Sequence, residues 1–218
     1  GLHFFNPVAK MPLVEVVHSE QTDAIWVTRG CAFSSQINRF PLPTRSTPGF
    51  LVNRVLAPYL MEAFSILLEG VDKAKIDAAA LRFGMPMGPI ELADVVGLDV
   101  CMKVAETLAT GDVEAHRTLL QKKLEEGLLG KKSGGGFYTW SKGKPDRQSV
   151  DMNTPYGDKL AQRLIAPFLE ECKAASADSI VADDDLLDAG IIFGTGFAPF
   201  RGGPMQYLKQ STSTGESV

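Results

Sequence analysis

The sequence predicts a mainly α chain: a strand–helix–strand start, then two helical blocks in tandem. Three observations lead to that fold class. A β-branched run and a proline-bearing segment flank one helical stretch near the start, apolar residues recur every three or four positions from Thr47 onward, and part of the first helical block returns in the second.

Met11-Pro12-Leu13-Val14-Glu15-Val16-Val17 has the composition of a strand, and Thr22 caps a helical stretch reaching Asn38. Arg39–Arg45 contains Pro41 and Pro43, which cannot donate to a ladder, so it can be an edge strand at most. Parallel sheets need several neighbouring strands and helices on both faces. Residues 1–46 therefore read as one part of a larger sheet, with Val14–Val17 and the Phe40 segment expected to expose edges and the whole stretch to be disordered, displaced or paired with another molecule across a crystal contact. Gly1-Leu2-His3-Phe4-Phe5 has the look of an interior strand edge, the expectation being a fragment of a longer chain.

Pro48 suits a first helical turn, and Phe50, Leu51, Val55, Leu56, Tyr59, Leu60, Phe64 and Leu67 follow at helical spacing until Gly70. A second helix starts at Asp72 and breaks at Gly84; Pro89 leads into Ile90–Val96, Gly97 separates a helix ending at Leu108, and His116–Glu126 makes another. Ser133-Gly134-Gly135-Gly136 closes the block, and Ser141–Thr154 reads as a polar linker. The expected organisation is a sheet remnant at 1–46, a helical domain at 47–140, a linker at 141–154, a second helical repeat at 155–208 and a polar tail at 209–218.

The repeat rests on two matches. Asn53-Arg54-Val55-Leu56-Ala57-Pro58-Tyr59-Leu60 aligns with Gln162-Arg163-Leu164-Ile165-Ala166-Pro167-Phe168-Leu169, and Phe83-Gly84 with a proline at 89 aligns with Phe193-Gly194 and a proline at 199. Both long helices thus carry an internal proline at the same place.

Composition excludes several classes. The 218 residues are 44% hydrophobic and 22% charged with a net charge of −4, so neither disorder nor a nucleic-acid-binding basic face is indicated. The longest uncharged apolar stretches are too short for a membrane span. Cys31, Cys101 and Cys172 lack metal or redox spacing and read as buried thiols, and His18 and His116 read as surface residues.

Glu15 is the one acidic group in an apolar strand and needs a partner. His3 lies twelve residues earlier, across a turn at Asn6-Pro7, near enough in sequence to fold back onto it. An imidazole held by a carboxylate is oriented as a general base. Spacing alone leaves open a second reading, in which His3 packs between Leu2 and Phe4 and Glu15 faces solvent. Lys131-Lys132-Ser133-Gly134-Gly135-Gly136 joins two cations to glycines, the composition of a phosphate-binding nest or of a solvated loop.

Five motifs in order carry a family resemblance: His3-Phe4-Phe5-Asn6-Pro7; Met11-Pro12-Leu13-Val14-Glu15; Thr47-Pro48-Gly49-Phe50 with Asn53; Gly88-Pro89-Ile90-Glu91-Leu92 with Asp94; and Gly130-Lys131-Lys132-Ser133-Gly134 with Gly136-Phe137-Tyr138. The chain resembles L-3-hydroxyacyl-CoA dehydrogenases of fatty-acid β-oxidation, and its second helical copy resembles the multifunctional α-subunits that fuse this enzyme to enoyl-CoA hydratase. The resemblance implies a Rossmann-type NAD domain of which residues 1–46 are the end, with the glycine-rich dinucleotide loop upstream of Gly1, followed by tandem helical repeats of the dehydrogenase C-terminal type. It implies NAD as cofactor, an acyl-CoA as substrate, upstream NAD-binding and hydratase domains and a thiolase subunit as partners, and a bacterial cytoplasmic or an organellar matrix location. It assigns His3 as general base, Glu15 as its orienting carboxylate, Asn53 to the substrate, and Asn6 and Lys132 to the cofactor. No metal site and no nucleic-acid partner are implied. The isolated chain is expected to be inactive, the alternative being a helical assembly or acyl-CoA-cradling module without catalysis of its own.

Overall fold

In the computed structural model, which describes residues 1–108 and 113–214, strands β1 (Leu2–Phe4), β2 (Leu13–His18) and β3 (Phe40–Arg45) form a sheet in the order β1-β2-β3. β1 runs antiparallel to β2 with His3 opposite Glu15, and β2 runs parallel to β3 with Glu15 opposite Leu42. The expected exposed edge at Val14–Val17 is thereby corrected: β1, three residues long, covers that side of β2, and Leu13, Val14, Glu15 and Val16 are buried. Residues 1–46 are ordered in this sheet rather than displaced. The two prolines sit in β3 at its edge, where a missing donor costs nothing. Helix α1 (Ala24–Gln36) makes the crossover; its cap is Asp23, whose carboxylate accepts from the Ile25 N–H, rather than Thr22.

Helix α2 (Val52–Leu68) starts later than Pro48 suggests, because Gly49 (φ 78°) and Phe50 (φ 51°) take left-handed conformations that a helix cannot contain. The chain forms two compact units: residues 1–56 with 169 onward, and Ala57–Phe168. In the second unit α3 (Lys73–Phe83) is capped by Asp72 and ended by Gly84 in the left-handed conformation. It is followed by α4 (Pro89–Val96), α5 (Leu98–Leu108) and α6 (Glu114–Glu125). Two buried carboxylates organise this unit. Asp77 on α3 accepts from the Ile90 and Glu91 N–H groups and from the Tyr138 hydroxyl; Asp94 on α4 accepts from the Phe137 and Tyr138 N–H groups and the Trp140 indole. Burial pushes the Asp77 carboxyl up to about 6, against those three hydrogen bonds. A Cβ on Gly88 would lie 2.2 Å from Asp77 atoms and one on Gly136 2.0 Å from the Asp94 carboxylate, so two motif glycines serve this network.

The predicted linker is partly ordered, since β4 (Trp140–Ser141) and β5 (Lys144–Pro145) pair as a hairpin. Helices α7 (Pro155–Ala177), α8 (Asp184–Thr195) and α9 (Pro204–Thr214) follow, so helix continues into the predicted tail, whose residues 215–218 lie outside the described ones. Pro58 and Pro167 lie inside α2 and α7. The second repeat match is out of register: Gly196, not Gly194, is the left-handed cap of α8, and Pro204, not Pro199, opens the next α-helix. Cys101 and Cys172 are buried free thiols and Cys31 is half-buried. His116, expected at the surface, is half-buried with Nε2 2.9 Å from Ser65 Oγ. Among the described residues no helix is long and apolar enough to cross a membrane, and no group of three or more His, Cys, Asp or Glu could hold a metal.

Candidate active site

The antiparallel pairing of β1 with β2 sets His3 beside Glu15. His3 Nδ1 lies 2.6 Å from Glu15 Oε2, with the carboxylate fully buried and the imidazole 30% exposed. The other carboxylate oxygen, Oε1, accepts from the Leu51 and Val52 N–H groups at 3.0 Å each. Glu15 thus closes the otherwise unpaired N-terminus of α2, whose partial positive charge favours an anion there. Because an ionised carboxylate only accepts, the Nδ1 proton points at Glu15 and Nε2 is left with its lone pair. Phe5 and Phe50 flank the imidazole at centroid distances of 4.6 and 5.3 Å and hold the ring plane. The bland alternative for this pair, a packed histidine and a solvated glutamate, does not describe this geometry.

Asn53 is half-buried on the first turn of α2, in the same unit as His3 and Glu15, and Asn6 is exposed in the turn after β1. Lys132 belongs to the other unit, exposed, with Nζ 2.5 Å from Asp99 Oδ1; that ion pair holds the Asp99 carboxyl below its usual range. The Gly130–Gly136 loop is not an open nest: the Ser133, Gly134 and Gly136 N–H groups donate to carbonyls of Gly130, Lys131 and Tyr138, and the Ser133 hydroxyl donates inward to Gly130 and Gly135. Lys131 lies over the Trp140 ring at 5.2 Å.

Sequence reasoning missed the Leu51 and Val52 amides, which are backbone donors without a side-chain signature, and the two phenylalanines. The detectable signal was Gly49 before Phe50, a left-handed turn that delays the helix until its first amides face the strand.

A buried carboxylate, held by two helix amides and in turn orienting an imidazole, is an arrangement chemically able to support general acid–base transfer, and it stands on a sheet followed by a helical domain. Residues 1–47 match the model of the 3-hydroxyacyl-CoA dehydrogenase NAD binding domain, and residues 49–140 that of the 3-hydroxyacyl-CoA dehydrogenase C-terminal domain. The chain belongs to the 3-hydroxyacyl-CoA dehydrogenase family. It is 38% identical over 221 residues to the fatty acid oxidation complex subunit alpha of Shewanella halifaxensis, covering 95% of this chain and 31% of that protein. The subunit of the same name from Vibrio parahaemolyticus is 39% identical over 223 residues, with coverage of 96% and 31%. The chain thus spans about a third of the length of the curated relatives it matches. Among solved structures, FadB2 of M. tuberculosis is similar at a TM-score of 0.59 and 39% identity over 65% of this chain and 52% of that one. The 3-hydroxybutyryl-CoA dehydrogenase of Escherichia coli shares the fold, at a TM-score of 0.73 with 24% identity over 100% of this chain and 67% of that one.

Proposed function

We propose that the chain supplies the proton-handling part of an NAD-dependent L-3-hydroxyacyl-CoA dehydrogenase that oxidises 3-hydroxyacyl-CoA to 3-oxoacyl-CoA in fatty-acid β-oxidation. The observation that carries this reading is the His3–Glu15 pair at 2.6 Å, which commits Nδ1 to the carboxylate. His3 Nε2 takes the 3-hydroxyl proton as the C3–O bond gains carbonyl character. The resulting imidazolium keeps its Nδ1–H on Glu15, whose charge offsets it at the moment of transfer. Leu51 and Val52 hold Glu15 in place, so no reorganisation is needed during the step. Asn53, on the same helical turn, donates to the acyl-CoA carbonyl.

The residues fit NAD in part. The exposed Asn6 amide and the open edge of His3 suit the nicotinamide end, where bound NAD supplies the hydride acceptor for C3. The Gly130–Gly136 loop spends most of its amides internally, so Lys132 offers only a charge, and the pyrophosphate falls to a glycine-rich loop that these 218 residues lack. The upstream NAD-binding and hydratase domains and a thiolase subunit remain the partners the family resemblance assigns, with a bacterial cytoplasmic or organellar matrix location.

The helical blocks are two copies of one unit. Support comes from reciprocal ion pairs: Arg54 Nε lies 2.5 Å from Glu171 in the first unit, and its repeat counterpart Arg163 lies 2.6 Å from Glu62, the counterpart of Glu171, in the second. Such an exchange of equivalent residues is the pattern of an interface built from two like copies.

Calorimetric titration of the chain with acetoacetyl-CoA tests the reading. Saturable binding that His3→Gln or Asn53→Ala weakens supports it; binding unaffected by both substitutions would favour an acyl-CoA-cradling module, and no binding would favour an assembly module.

A further inference from the structure

The second helical copy lacks the dyad, yet one of its helices touches the dyad's support. Gly190 and Gly194 lie on one side of α8, within the same unit as the sheet. Both are buried helical residues, and neither has a positive φ, so conformation alone does not ask for glycine. Space does. A Cβ on Gly194 would lie 2.6 Å from Val52 Cγ2 and 2.9 Å from Leu13 Cδ2, and one on Gly190 2.5 Å from Leu42 Cδ2 and 3.2 Å from Leu51 Cδ2.

The residues met are not arbitrary. Leu51 and Val52 are the two whose N–H groups hold Glu15 Oε1, and Leu42 is the register partner of Glu15 on β3. Leu13 lies two residues before Glu15, so the two side chains share a face of the strand. Helix α8 therefore rests on that face and on the start of α2 together, fixing the distance between the carboxylate and the amides that orient it.

We infer that Gly194, with Gly190, is a positioning residue for the His3–Glu15 pair, so that the second copy acts on the chemistry of the first through the seat of α2. This rests on the dehydrogenase reading for its catalytic consequence but not for its structural one. A Cβ at 194 meets a β-branched side chain with little freedom to turn away. The cheapest response is a shift of the α2 start, which stretches the Leu51 and Val52 hydrogen bonds to Glu15 and loosens the imidazole behind it.

The experiment uses Gly194→Ala and the double variant Gly194→Ala/Val52→Ala, in which the vacated Val52 methyl positions accept the new Cβ. Nuclear magnetic resonance of the chain reads the Leu51 and Val52 amide protons and the low-field His3 Nδ1–H. The expected result is an upfield shift of all three in Gly194→Ala with about a tenfold loss of hydrogen-exchange protection at the two amides, and return toward the parent in the double variant. A Gly194→Ala chain that is merely less stable, with these signals unmoved, would overturn the inference, as would a double variant that folds without recovering them. Should Gly194→Ala not fold, recovery of the signals in the double variant supports the inference and their absence rejects it. In an active dehydrogenase that contains this chain the same substitution is expected to lower kcat about tenfold with KM unchanged. His3→Gln separates the two levels: unchanged kcat there removes the dehydrogenase reading, while the amide signals still decide the positioning role.

Discussion

Glu15→Gln probes the site at its most constrained atom pair. The carboxylate is fully buried and accepts three hydrogen bonds, from His3 at 2.6 Å and from Leu51 and Val52 at 3.0 Å. Bonds to a charged group contribute about 1.5–3 kcal/mol each and neutral ones about 0.5–1.5. A glutamine keeps its carbonyl oxygen on the two amides and must turn its NH2 toward His3. Two bonds then weaken by about 1 kcal/mol each and the third survives only if the imidazole changes tautomer, for a total near 3 kcal/mol. With a urea dependence of about 2 kcal/mol per molar, the unfolding midpoint falls by about 1.5 M. The tautomer change leaves Nε2 protonated, so the lone pair that the proposed proton transfer needs is lost along with the stability. Urea unfolding followed by circular dichroism gives the first quantity, and nitrogen-15 shifts of the His3 ring give the second. A midpoint moved by less than about 0.3 M, or a ring still protonated on Nδ1, would refute the reasoning.

Asp94→Asn places an NH2 among three donors, Phe137 N–H, Tyr138 N–H and the Trp140 indole, and is expected to cost about 2–4 kcal/mol by urea unfolding; a neutral effect would mean the loop is held otherwise. The Asp77 carboxyl is raised by burial from 3.8 to about 6, so between those values the folded state binds the extra proton and this group's contribution to stability, about 3 kcal/mol, is full below pH 3.8 and lost as pH rises through 6. The penalty of Asp77→Asn should accordingly shrink between pH 4 and pH 7, and a pH-independent penalty would contradict the shift. On the proposed reading the NAD pyrophosphate is not held by these 218 residues, so the chain alone should form no NADH from 3-hydroxybutyryl-CoA and NAD; turnover above background would reject that expectation.

Much of the fold was legible because helices announce themselves locally. The apolar spacing of Leu51, Val55, Tyr59 and Phe64, the Asp72 cap and the Gly84 stop gave α2 and α3 within a few residues. The strand look of Leu2–Phe4 was legible but its register was not: three residues carry no period, and their placement comes from antiparallel pairing with β2. Glu15 stood out as a lone acid in an apolar run, which pointed to a buried partner, but its two amide donors depend on where α2 begins. That start is decided by the left-handed Gly49 and Phe50, a conformation that sequence hydropathy does not encode. Phe193-Gly194 resembles the helix-ending Phe83-Gly84 in sequence, yet Gly194 lies within α8, where a Cβ would meet Val52 and Leu13. The glycine-rich loop misled, since its composition suits an anion while its amides close the loop on itself.

The central claim is that His3 takes the proton from the 3-hydroxyl. The most direct measurement is steady-state oxidation of 3-hydroxybutyryl-CoA by an active dehydrogenase that contains this chain and carries His3→Gln, with NADH formation followed by absorbance. A fall in kcat of about 10²–10⁴ with KM little changed is the expected result for a lost acid–base group. A kcat equal to that of the parent would contradict the claim and return His3 to a packing role.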